Sequence, residues 1–175
     1  MHNIELAWLF KEIADLLEIK GENIFKIRAY QKAADTIATF SKDLTQATEK
    51  EIAAIPGFGK ALQEKTKEWI ESGEIKYLNT LRAEIPQGLL EIAKVPGLGP
   101  KLVRRLYEEL GIENSDQLMK AAKEQKIRKL KGLGAKIELN IINNLKRMRE
   151  HLSEVSLAVS YPIGLTMIEI LSEID

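Results

Sequence analysis

"KVPGLGPKLVRRL", residues 94–106, joins an apolar step, a proline, two glycines one residue apart and a cationic helix. Two passages repeat the punctuation: "AIPGFGKALQEK" at 54–65 and "KLKGLGAKIELN" at 129–140. They lie about forty residues before it and about thirty-five after, so one supersecondary unit recurs along the chain. The proline pushes the residue before it out of the α region and ends the incoming helix. The first glycine of each pair (Gly57, Gly97, Gly132) can take a positive φ. The second (Gly59, Gly99, Gly134) keeps the outer surface of the turn free of a side chain. Next comes a helix N-terminus, whose unpaired N–H groups and partial positive charge attract phosphate oxygens. Lys60, Lys101 and Lys136 lie just inside the outgoing helices, and Pro100 starts its helix at a position that needs no N–H.

A single turn of this kind is equally well read as a tight helix–helix connection with a glycine cap. Three of them, with basic outgoing helices, favour phosphate binding. The third is the weakest, because Lys131 stands where the others carry proline. A dinucleotide fingerprint needs a third glycine where the chain has Leu62, Leu102 and Ile137, and a strand before the turn. No GxxxxGK phosphate loop occurs.

The rest of the chain narrows the classes. Its 175 residues, 45% hydrophobic and 30% charged, fit one or two small soluble domains. β-branched runs are short and never alternate over a strand length, so an all-α fold is expected. There is no cysteine, which removes disulfides and thiolate metal sites, and His2 and His151 have no partner at ligand spacing. No stretch approaches the roughly 20 apolar residues of a membrane span, and no signal pattern opens the chain, so no membrane partner and a cytoplasmic location are expected. The formal net charge is zero, but it is segregated. Residues 94–107 hold Lys94, Lys101, Arg104 and Arg105 without an acid; residues 126–136 hold Lys126, Arg128, Lys129, Lys131 and Lys136, again without one. Lys20, Lys26, Arg28 and Lys32 face only Glu22 over 20–32, and beyond Arg149 all charges are acidic. A basic share gathered around the turns points to a phosphate backbone.

Periodicity predicts helices in the order helix, hairpin, helix, repeated. Ile4, Leu6, Leu9, Phe10, Ile13, Leu16 and Leu17 form the stripe of the first, closed at Gly21. The second helix has Ile27, Tyr30, Ala34, Ile37 and Ala38 as its inner face, and Thr48 with Glu51 spells a capping box. A helix is expected from Lys60 to about Ser72, one from the second turn to Gly111, one capped by Ser115, and one from about Ala135 to Leu152. Trp8 and Trp69 read as packing residues, and Phe25 as core or as a base-stacking ring. The expected division is 1–80 around the first hairpin, 81–152 around the second and third, and 153–175 as the start of a following domain.

"IPGFGKALQEKTKEWIESGEIKYLNTL" (55–81) and "VPGLGPKLVRRLYEELGI" (95–112) resemble the paired helix–hairpin–helix motifs of family X DNA polymerases. "KGENIFKIRAYQKAADTI" (20–37) resembles the second helix of their lyase-type N-terminal domain, and the closest form is the bacterial and archaeal branch. The resemblance implies a first domain that holds the downstream strand and its 5′-phosphate in a gap, with Lys26, Arg28 and Tyr30 near that phosphate. It implies a fingers-like second domain on the primer or template side. It also implies a Na⁺ or K⁺ ion at each of the first two hairpins, held by the carbonyls of Ala53, Ile55 and Phe58, and of Ala93, Val95 and Leu98. The family's Schiff-base lysine corresponds to Lys65, while Ala61 and Tyr77 replace two of its phosphate-binding lysines. The glycine–serine nucleotide motif and the three carboxylates that hold Mg²⁺ for polymerisation do not occur, so no polymerase activity is expected of this chain and a missing C-terminal polymerase domain is. Three readings follow: binding of gapped or nicked DNA without sequence preference, with no cofactor beyond the cation; 5′-deoxyribose-phosphate lyase action through Lys65, itself also readable as a surface lysine near Glu64 and Glu68; and a helical protein–protein adaptor.

Overall fold

A computed structural model describes residues 2–150. The expectations for 153–175, and the end of the last helix at Leu152, fall outside those residues. Among the described residues there are helices and no strand. The α-helices are α1 (His2–Lys20), α2 (Ile24–Ala38), α3 (Glu49–Ala53), α4 (Lys60–Ser72), α5 (Lys76–Glu84), α6 (Gln87–Ala93), α7 (Pro100–Leu110), α8 (Ser115–Lys123) and α9 over 135–150. Single 3₁₀ turns lie at Leu44–Gln46 and Ile127–Lys129. The fold is all-α.

α1 is the spine. Leu6, Phe10, Ile13, Ala14 and Leu17 are buried completely, each larger side chain contributing roughly 1.5–3 kcal/mol. α2 packs back along α1 after Gly21 turns the chain at φ +80°, with Asn23 accepting from the Phe25 N–H to start the new helix. α1 also touches α5 and α7, so its second side supports the later half of the chain. Two ion pairs tie α5 to α1: Arg82 grips Glu12 through Nε and Nη2, both at 2.7 Å, and Lys20 reaches Glu84 at 2.6 Å.

Several local expectations need correction. α5 was not foreseen, and the expected division at 80/81 falls inside it. Asn114 caps α8 by accepting from the Gln117 N–H at 2.9 Å, so Ser115 is the first helical residue instead. Ala38 and Ile4 are exposed, and Trp8, expected to pack, is 69% exposed. At 100° per residue Ile4 and Trp8 project from the face of α1 opposite its buried stripe, and Ala38 lies at the edge of the α2 stripe; nothing among the described residues covers them. Trp69 is buried as expected, and Thr48 with Glu51 forms the capping box of α3.

Candidate nucleic-acid interface

The three turns share one backbone. Gly57, Gly97 and Gly132 have φ of +83°, +84° and +80°. The N–H two residues before the outgoing helix closes the same bond each time: Phe58 to the Ile55 carbonyl at 3.1 Å, Leu98 to Val95 at 3.0 Å, Leu133 to Leu130 at 3.0 Å. The glycine carbonyls at 59, 99 and 134 then accept the first two helical N–H groups, from Leu62 and Gln63, Leu102 and Val103, and Ile137 and Glu138. A Cβ placed on Gly59, Gly97, Gly99, Gly132 or Gly134 would meet no protein atom within 4 Å. The outer face of each turn is therefore open to a ligand's close approach.

The third turn keeps this geometry without a proline. Its incoming element is only a 3₁₀ turn, and the brace is Glu138, 1% exposed, on the outgoing helix. Its carboxylate accepts from Arg128 Nε at 2.7 Å and from the Arg128 backbone N–H at 3.0 Å. The buried charge is thereby paired and hydrogen-bonded, and the turn cannot splay without exposing it unpaired.

The basic runs are thinner in space than in sequence. Arg128 is committed to Glu138, Lys126 pairs with Glu124, and Arg104 and Arg105 pair with Glu108 and Glu109 one helical turn on. Arg104, expected at the second turn, lays its guanidinium against Gly21 at the end of α1. Lys60, Lys94, Lys101, Lys129, Lys131 and Lys136 make no ion pair among the described residues. The cations left over are thus those nearest the open glycines. Sequence reasoning counted Lys32 in the basic run over 20–32 but did not place it at the first turn, where its ammonium end comes within 4.0 Å of the space beside Gly57. Its signal was available: it lies one helical turn after Arg28 on α2.

Behind the first turn runs a column of rings. Phe58 lies 6.4 Å from Phe10, Phe10 stacks on Tyr30 at 5.7 Å, and Tyr30 stacks on Tyr77 at 6.3 Å. The column ends in two cations, Lys65 Nζ at 4.8 Å and Lys26 Nζ at 5.3 Å from the centre of the Tyr77 ring. Tyr30 is 5% exposed, and burial, with Tyr77 next to it, pushes its hydroxyl pKa up, so it stays protonated. Lys65 pairs with no carboxylate among the described residues and makes one long bond, 3.4 Å, to the Ala61 carbonyl. Lys26 lies 3.8 Å from Glu22. Arg28 is exposed on the same helix, and Phe25, expected to be core or a stacking ring, is 75% exposed at its start. Core is the wrong reading for Phe25.

The carbonyls expected to hold a cation differ between hairpins. In the first, the Phe58 carbonyl already accepts the Gln63 side-chain amide at 2.7 Å. Val103 stands in that place in the second and has no donor, which leaves the Leu98 carbonyl free of a side chain. The Ile55 and Val95 carbonyls each accept the N–H that closes their turn, so the two hairpins differ only in the side-chain donor at Phe58. Among the described residues no three His, Asp or Glu side chains gather where a metal ion could sit, and no helix is long and apolar enough to cross a membrane.

Residues 1–75 match the family described as a helix-hairpin-helix domain, and residues 89–147 match the SAM-like helix-hairpin-helix tandem. The chain is 35% identical over 145 residues to the DNA polymerase/3'-5' exonuclease PolX of Bacillus subtilis (strain 168). The chain belongs to the helix–hairpin–helix region of the family X DNA polymerases. That alignment takes in 83% of this chain and 25% of the relative. DNA polymerase lambda of Rattus norvegicus is 25% identical over 109 residues, 62% of this chain and 18% of that protein. This chain therefore spans about a quarter or less of these relatives' lengths. The second family match covers both the second and the third turn, in keeping with their common backbone.

Proposed function

We propose that the chain grips gapped or nicked DNA through its phosphates, with little regard to sequence, as the DNA-holding part of a family X repair polymerase. The observation that carries this reading is the threefold turn: one backbone geometry, open glycine faces and unpaired lysines at the start of the outgoing helices. Such contacts fix position on a strand and carry no base information. Hairpin 1, with Lys32, Lys26 and Arg28 behind it, would take the 5′-phosphate side of a gap, where exposed Phe25 can stack on the last base. Hairpins 2 and 3 would take the continuous duplex. A Na⁺ or K⁺ ion at Ala93, Val95 and Leu98 would add one positive charge facing a phosphate. Polymerisation itself would belong to a further domain of the natural protein, and the cytoplasm suits such a protein.

The test of gap recognition is a titration of the chain with intact duplex and with the same duplex carrying a one-nucleotide gap and a 5′-phosphate. Tighter binding to the gapped form, lost on removal of that phosphate, is expected. Equal affinity for all three would remove the gap from the account.

A second reading is favoured by one feature: Lys65 has no carboxylate partner among the described residues and lies, like Lys26, against the Tyr77 ring. A neutral Lys65 amine would attack the C1′ aldehyde of an abasic sugar and release water to form a Schiff base. Loss of a C2′ proton with departure of the 3′-phosphate would follow, and hydrolysis would restore the lysine. Ala61 and Tyr77 leave fewer cations around the 5′-phosphate, so the expected turnover is slow.

A further inference from the structure

The three turns differ at one place, the fourth residue of the outgoing helix: Gln63, Val103 and Glu138. A helical side chain leans toward the helix N-terminus, so this residue reaches back over the turn that precedes it. Gln63 uses that reach. Its Nε2 donates to the Phe58 carbonyl, five residues back, at 2.7 Å. Val103 is buried completely and has nothing to donate, and Glu138, an acceptor only, turns to Arg128 instead. Among the described residues no side chain donates to the Leu98 or Leu133 carbonyl, the counterparts of Phe58. The Phe58 carbonyl belongs to the set that the family resemblance assigns to a monovalent cation. An amide hydrogen meets its negative charge, so the first hairpin has a built-in donor where the second would need an ion.

We propose that the Gln63 amide takes the place of the monovalent cation at the first hairpin and is itself a phosphate ligand. The proposal rests on the phosphate-binding reading above. A cation at such a turn joins two negative groups, a carbonyl and a phosphate oxygen. A primary amide carries two N–H donors on one nitrogen and can join the same two groups. One N–H of Gln63 is held by Phe58, and the other makes no hydrogen bond among the described residues. The residue is only half-buried, whereas Val103 and Glu138 are buried at the same place. The turn beside it is open, since a Cβ on Gly59 would meet no protein atom within 4 Å. Lys32, whose ammonium end lies near Gly57, supplies the charge that a neutral amide lacks. Gln63 is ordered before DNA arrives, so less freedom is lost on binding. The first hairpin then grips phosphate without an ion from solution, and the second, with Val103 in that place, keeps the need for one.

The test compares affinities of the full chain for a duplex with a one-nucleotide gap and a 5′-phosphate, in potassium and in tetramethylammonium chloride at one ionic strength. Tetramethylammonium screens charge as potassium does but is too large for carbonyl oxygens to ligate. Gln63→Val installs the residue of the second hairpin at a partly exposed site. In potassium the variant should bind within about twofold of the parent, because the ion enters the vacated place. In tetramethylammonium it should bind about fivefold more weakly than the parent, having lost a hydrogen bond to a charged group. An equal loss in both salts would overturn the exchange of amide for ion, and so would no loss in either. The parent chain gives a second readout that needs no variant. In nitrogen-edited proton spectra recorded in tetramethylammonium, saturating gapped DNA should shift one of the two Gln63 side-chain N–H signals. Two unmoved signals would overturn the contact. A parent chain that does not bind gapped DNA would refute the phosphate-binding reading itself, and the proposal with it.

Discussion

Lys65 and Lys26 share a single aromatic partner, Tyr77, and this decides how the possible lyase chemistry is tested. Both ammonium groups contact that ring, whereas Lys60, the first residue of α4, has no such contact. Incised abasic DNA with borohydride should therefore yield a reduced covalent adduct with the parent chain and with Lys60→Ala, and none with Lys65→Ala. Equal adduct in all three would mean incidental amine chemistry. No adduct in any would leave a binding module. The sequence put Lys65 beside Glu64 and Glu68, its neighbours on one helix, yet its actual partner comes from α5. That ring contact depends on where α5 docks on α1, which no local pattern records.

At the scale of the element, α3 shows how a short helix is held before the first turn. Glu51 accepts from Lys42 Nζ at 2.6 Å, and from the Thr48 N–H at 2.8 Å and hydroxyl at 2.9 Å. These bonds, that from Lys42 foremost, pull its carboxyl pKa down from 4.5 to about 2. A depressed folded pKa stabilises the fold fully above the unfolded value, and that stability drains away as pH falls through the folded one. The difference in melting temperature between the parent and Glu51→Ala should be constant from neutral pH to 4.5 and close as pH approaches 2. A difference that persists undiminished at pH 2 would assign the effect to packing of the side chain. Local signals of this kind were legible in the sequence: the capping box, Gly21, Gly111 and all three glycine pairs act within a few residues. α5 was not, because Ile75 starts it without a side-chain cap and its buried face is only Leu78 and Leu81. The bonds from Arg105 to the Lys131 carbonyl and from Asn144 to the Pro96 carbonyl were equally hidden, since they join residues 26 and 48 positions apart.

The whole molecule resolves an apparent contradiction between zero net charge and a polyanionic partner. Arg104, Arg105 and Arg128 are spent on intramolecular carboxylates, while Lys60, Lys101 and Lys136, beside the open glycines, make no ion pair among the described residues. Binding by local cations and backbone N–H groups needs no global positive charge, but it must release counterions from each phosphate engaged. The most direct test is the affinity for gapped DNA across a range of salt concentrations, compared with the same DNA carrying neutral methylphosphonate linkages on either side of the gap. The account predicts a log–log slope of roughly −3 to −6 on natural DNA and a much shallower one, with weaker binding, on the neutral backbone. A flat salt response, or equal affinity for the two backbones, would contradict it.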